Sequence, residues 1–118
     1  MANGVLFIGW GPVTPGREKQ AVEVFGQVTQ YYERLRRDGE ITGFQPVFLE
    51  PHGGDLNGFI LIQGDQNKLS QLRLNPEFLH NITRAQLVVQ NVGVVTGFVG
   101  EELNRQISDF QAQAHELT

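Results

Sequence analysis

Two short segments, Val5–Trp10 and Phe59–Ile62, are apolar on both faces of an extended backbone, and this constrains the chain more than any other feature. In the first, Val5, Phe7 and Gly9 point one way and Leu6, Ile8 and Trp10 the other. A strand without a polar face has to be covered above and below, so both segments belong in the middle of a sheet. Ile41–Glu50 (ITGFQPVFLE) carries the opposite constraint. Pro46 lies in its middle and cannot donate to a ladder, which sends this strand to an edge. His52-Gly53-Gly54-Asp55 is a turn joining it to Leu56–Gly64 (LNGFILIQG), and so short a link makes an antiparallel hairpin. Gly4–Gly11 is the full first strand, and Asn91–Val99 (NVGVVTGFV) is the fourth.

The helices are read from their stripes and ends. A loop, Gly11–Pro15, leads into a helix expected over Pro15–Asp38, with Thr14 as N-cap, Pro15 in the first position and Glu18 at the positive end of the dipole. Ala21, Phe25, Val28, Tyr32 and Leu35 recur at alternating steps of 4 and 3 and form one apolar stripe. Arg34, Arg36 and Arg37 suit its last turn, and Gly39 suits a left-handed terminator. Gln66–Gln90 reads as helical but interrupted: Leu69 and Leu72 open a stripe, Asn75-Pro76 re-caps it, and Phe78, Ile82 and Ala85 continue it. Glu101–Leu117 is a last helix with Leu103, Ile107, Phe110, Ala114 and Leu117 on one side.

Composition bounds the rest. A chain of 118 residues with 40% hydrophobic residues suits one domain, residues 1–118, with its own core. Nine Lys+Arg against 13 Asp+Glu give a formal charge of -4, which disfavours nucleic acid as a partner. With no cysteine, disulfides, thiolate nucleophiles, Cys-ligated zinc and iron–sulfur clusters are excluded. No run approaches the roughly 20 apolar residues of a membrane span, and no export signal is evident. A cytoplasmic location is therefore expected, where the sequon Asn81-Ile82-Thr83 carries no glycan.

Strand–helix–strand–strand–helix–strand is the ferredoxin-like α+β arrangement, βαββαβ with an antiparallel four-stranded sheet, here with an extra C-terminal helix. Two helices cover one face of such a sheet. About ten apolar side chains on the other would leave roughly 500 Å² wet, worth on the order of 12 kcal/mol. A patch of that size marks an interface, and the simplest partner is a second copy, sheet against sheet. The competing readings are that the last helix folds back over its own sheet, or that a different protein covers it.

Over residues 4–99 this order, with the re-capped helix Leu74-Asn75-Pro76-Glu77-Phe78, resembles the dimeric α/β-barrel superfamily. Its members include cofactor-free antibiotic-biosynthesis monooxygenases, haem-degrading monooxygenases, muconolactone isomerases, stress-responsive barrel proteins and many proteins of unassigned role. The resemblance implies a homodimeric α/β barrel that binds a small apolar or aromatic molecule between sheet and helices. The alternative it implies is a cofactor-independent monooxygenase or isomerase acting on an aromatic or polyketide-like substrate, with Trp10 and Asn57 as donors to an enolate-like charge. Haem-degrading relatives use an Asn on the first strand and a Trp and a His on the second helix. Asn3 and His80 answer to two of these, but the only tryptophan, Trp10, stands on the first strand, so no haem or other cofactor is expected.

Candidate site residues follow. Trp10, Tyr31, Tyr32, Phe44 and Phe59 are expected to line a cavity between sheet and helices. His52, near Glu50 and Asp55, suits a divalent metal or a base, although its glycine-rich turn suits a solvated loop, a subunit contact or a pocket lid as well. Glu77, His80 and Arg84 share one side of the second helix. A di-iron centre needs a second Glu-x-x-His and two further carboxylates, so no metal site is expected there, and His80 with Arg84 would instead meet an acidic ligand at a pocket mouth. The candidate set is Trp10, Tyr32, His52, Phe59, His80 and Arg84 for binding, and Trp10, Asn57 and His80 for catalysis. Gly9-Trp10-Gly11 with Gly16 matches no nucleotide-binding loop, because Pro12 and Pro15 break the spacing.

Overall fold

A computed structural model describes residues 3–118. Four antiparallel strands, β1 (Gly4–Trp10), β2 (Gly43–Phe48), β3 (Gly58–Gly64) and β4 (Gly93–Phe98), lie in the order β2-β3-β1-β4. The two segments apolar on both faces are thus the central strands, and Pro46 is on an edge. The fold is the expected ferredoxin-like α+β arrangement. Leu6 pairs with Ile62 and Ile8 with Ile60 across β1 and β3, which puts all four on one face. Helices α1 (Glu18–Arg37), α2 (Gln66–Leu72) and α3 (Pro76–Gln86) cover that face, where Leu6, Ile62, Tyr32 and Phe78 are the most deeply buried large side chains.

The ends of the helices have local causes. α1 begins three residues later than its proline suggests. Gly16 adopts φ +86, which no right-handed helix accommodates, and Thr14–Arg17 closes a turn instead, with the Arg17 N–H donating to the Thr14 carbonyl at 2.9 Å. Thr14 is therefore not the N-cap; that position falls to Arg17, which offers no side-chain cap. At the other end Gly39 takes φ +76, Glu40 N–H donates to Leu35 at 2.9 Å and Gly39 N–H to Arg36 at 3.2 Å, a Schellman closure. The break between α2 and α3 is made by Asn75, whose side chain accepts from the N–H groups of Glu77 and Phe78, with Pro76 in the first position.

The second face of the sheet has no helix over it. It carries Val5, Phe7, Val47, Phe59, Leu61 and Val95, with Gly9, Gly43, Gly93, Gly97, Gln45 and Gln63 between them. This is fewer apolar side chains than the ten expected. Phe7 and Phe59 stack with centroids 5.0 Å apart, and Phe7 lies so flat over Gly9 that a methyl there would stand 2.6 Å from its ring.

The last helix, α4 (Gly100–Glu116), leaves the end of β4 through Gly100 at φ +62. It does not fold back over its own sheet. It packs lightly on β4, Glu102 is its one buried residue, and everything from Leu103 onward is exposed.

Candidate functional site

Between the covered face of the sheet and helices α1 and α3 lies a cavity of about 400 Å³. Its floor is Ile8, Trp10 and Ile60, and its walls are Phe25, Val28 and Tyr32 of α1 and Asn81, Ile82 and Ala85 of α3. Val13, Val22 and Phe48, all exposed, rim its opening together with Glu18. The lining is almost wholly apolar, the usual character of a site for a small organic molecule.

Trp10 is held flat on the floor by a missing side chain. A methyl on Gly58 would come 2.7 Å from the indole and 2.8 Å from the Val47 carbonyl, so only glycine lets the ring lie there. The edges of Phe25 and Phe48 meet it with centroids 6.2 and 6.1 Å away.

Two buried polar groups interrupt the apolar wall. Tyr32 is fully buried between Tyr31, at 5.4 Å, and Phe44, at 6.0 Å, and its hydroxyl has no hydrogen-bond partner among the described residues. Burial, reinforced by the neighbouring Tyr31, pushes its pKa well above the usual tyrosine value, so it stays a phenol. Asn81 is 8% exposed and shares the same wall of the cavity. In the sequence Asn81 stands out only as a sequon residue, although it falls three residues after Phe78 and four before Ala85, on the apolar stripe itself. That polar interruption of a stripe was the available signal. Its burial also removes the sequon asparagine from reach.

The remaining candidates separate. Trp10 and Tyr32 reach the cavity; Phe59 does not. Strand alternation gives the cavity Ile60 and turns Phe59 to the opposite face, against Phe7. His80 and Arg84 are exposed on α3, about 100° around the helix from Asn81 and Ala85 respectively, and Glu77 pairs with Arg34 of α1 at 2.5 Å. The expected meeting of His80 and Arg84 at the pocket mouth is thus replaced by a solvent-facing helix side. Asn57 and His52 are exposed in the β2–β3 loop, where both border a separate hollow of about 180 Å³. Asn57 lies beside Trp10 through the backbone, its N–H donating to the Trp10 carbonyl at 2.8 Å, but the residue is exposed and does not line the Trp10 cavity. His52 is occupied locally: Nδ1 accepts from Gly54 N–H at 3.3 Å, and Nε2 lies 2.7 Å from the Leu56 carbonyl. Among the described residues no three His, Asp or Glu side chains converge in a way that would hold a metal, so His52, Glu50 and Asp55 do not form such a site. Asn3 serves the fold, its side chain accepting from Gln66 N–H at 2.8 Å at the start of α2. No described helix is long and apolar enough to cross a membrane.

No protein-family model and no curated protein matches this sequence. Solved structures do match in fold. A dimeric ferredoxin-like protein of unknown function from Jannaschia sp. CCS1 is 14% identical, with a TM-score of 0.63 over 82% of this chain and 99% of that one. A dimeric protein of unknown function and ferredoxin-like fold from Bacteroides fragilis is 11% identical, with a TM-score of 0.59 over 81% of this chain and 96% of that one. SnoaB, a cofactor-independent oxygenase from Streptomyces nogalater, is 18% identical, with a TM-score of 0.54 over 83% of this chain and 94% of that one. At these identities the likeness is one of fold, and it agrees with the resemblance to the dimeric α/β-barrel superfamily.

Proposed function

We propose that this chain is a homodimeric small-molecule-binding protein whose ligand, a planar apolar or aromatic compound with one polar substituent, occupies the cavity between the sheet and helices α1 and α3. The observation that carries this reading is an almost wholly apolar cavity floored by Trp10, with Asn81 and Tyr32 in its wall, the buried Tyr32 hydroxyl having no partner among the described residues. A buried hydroxyl left without a partner is costly, and a ligand that supplies one recovers that cost. The dimeric neighbours of the same fold support the assembly.

A second reading, cofactor-independent oxygenation, is favoured by the placement of Trp10 and Asn81 around one apolar space and by the likeness in fold to SnoaB. Such chemistry needs a base to form a carbanion or enolate. Among the described residues the only carboxylate bordering the cavity is Glu18, exposed at the rim, and Tyr32 stays protonated. Binding is therefore the stronger conclusion.

Trp10 is the sole tryptophan and reports on the cavity directly. Titration with 2-naphthol should quench or shift its emission saturably, and Ala21→Leu, which pushes an isobutyl group into the space, should abolish the response. An unchanged titration in that variant refutes the reading. Oxygen uptake with an anthrone as substrate separates the two alternatives: uptake that Glu18→Gln removes establishes the oxygenase.

A further inference from the structure

The described residues leave two apolar surfaces largely open, and they adjoin. One is the open face of the sheet, whose most exposed apolar member, Val95 at 56%, lies on β4. The other is the stripe of α4, which starts two residues after β4 ends. Leu103, Ile107, Phe110 and Leu117 are exposed at 44, 47, 74 and 88%, and the main packing of the helix on its own chain is against β4. The molecule is correspondingly extended. Its radius of gyration is 16.3 Å, where about 13.5 Å is typical of a compact chain of this length. Its accessible surface is 7849 Å², where a compact monomer of this mass exposes about 6,400 Å².

Area decides what these surfaces need. The half-buried side chains of the open face offer on the order of 300 Å² per copy, well short of the roughly 800 Å² per partner of a stable interface. The four large side chains of the α4 stripe add about 500 Å², which brings the two together to that size. We propose that α4 is an intermolecular arm: in the dimer it leaves the β4 edge of one copy and lays its apolar stripe on the second copy, completing an interface that the sheets alone leave too small. This rests on the homodimer of the proposed function and assigns a further segment to it. The second copy is the occupant because one two-fold contact covers both adjoining surfaces on both chains.

Sedimentation velocity on the full chain tests this with three proteins: the intact chain, Ile107→Glu combined with Phe110→Glu, and Leu74→Glu, an exposed apolar position away from both surfaces. The intact chain and the Leu74 variant should be dimeric at micromolar concentration, and the α4 variant should dissociate at least about 100-fold more readily. Because α4 hardly touches its own body, Trp10 emission and the fold of the remainder should not change. If charge in α4 disturbs the body of the chain, Phe110→Ala replaces it, with about tenfold weaker dimerisation expected. An intact chain that is monomeric overturns the dimer reading and the arm together. A dimeric intact chain whose α4 variants associate as tightly overturns the arm alone.

Discussion

Replacing Tyr32 by phenylalanine is expected to stabilise the free protein, against the usual direction of core substitutions. The ring keeps its neighbours, Tyr31 and Phe44, so no apolar burial is lost. Only the hydroxyl goes, and it has no hydrogen-bond partner among the described residues. Holding such a group out of water costs about 1–3 kcal/mol, so a gain of about 1–2 kcal/mol is expected once the adjoining cavity is allowed for. For a chain of this size each kcal/mol raises the melting temperature by about 4 °C, so Tm should rise by about 4–8 °C. Urea unfolding at pH 7 should show a higher midpoint with an unchanged slope. Tyr31 also has a buried, unpartnered hydroxyl but does not border the cavity, so Tyr31→Phe should stabilise similarly and leave binding untouched. With 2-naphthol the two variants part: Tyr32→Phe should bind it about tenfold more weakly while binding naphthalene as before. A Tyr32→Phe protein destabilised by about 1 kcal/mol or more would refute the reasoning, because the hydroxyl would then be satisfied in solution and the proposed ligand would lose its anchor.

The same two tyrosines set the alkaline limit of stability. Burial raises both pKa values above the usual one, with Glu77 adding to Tyr31, so the unfolded chain releases these protons first. Stability is then complete below about pH 10 and falls above it by about 1.4 kcal/mol per pH unit for each tyrosine, a slope that either phenylalanine variant should reduce in pH-dependent urea melts. Gly58→Ala drives a methyl into the indole and the Val47 carbonyl, and should cost about 1–3 kcal/mol while shifting Trp10 emission; unchanged emission would mean that the ring does not rest there. Asn75→Ala removes the cap that joins α2 to α3 and should cost about 1 kcal/mol in the same melts. Gly39→Ala, forced to hold φ +76, should cost a similar amount.

Much of the fold was legible because a few residues admit one arrangement each. Pro46 cannot sit in a central strand, and Val5–Trp10 cannot sit at an edge with a wet face. Asn75-Pro76 announces a new helix start in the sequence, and the structure places one there. The start of α1 was not legible, because Thr14-Pro15 offers a plausible cap and Gly16 overrides it with a backbone angle that no side chain reveals. The site was harder to read for a geometric reason. Which side of a strand or helix faces a cavity depends on its partners across the fold, and an error of one residue turns a strand side chain to the other face or a helical one by about 100°. Phe59 in place of Ile60, and His80 and Arg84 in place of Asn81 and Ala85, are errors of that single step. Tyr32 escapes it because it lies on a helical stripe whose burial several neighbours fix, and Trp10 because both faces of its strand are covered or apolar and it shares a face with Leu6 and Ile8.

A helix of 17 residues standing almost free of its own body is near the length at which helices in water fray as fast as they form. If its order comes from a neighbouring molecule, then dilution alone should melt it. The chain's ellipticity at 222 nm would fall as the dimer separates, while the sheet and its tryptophan register nothing.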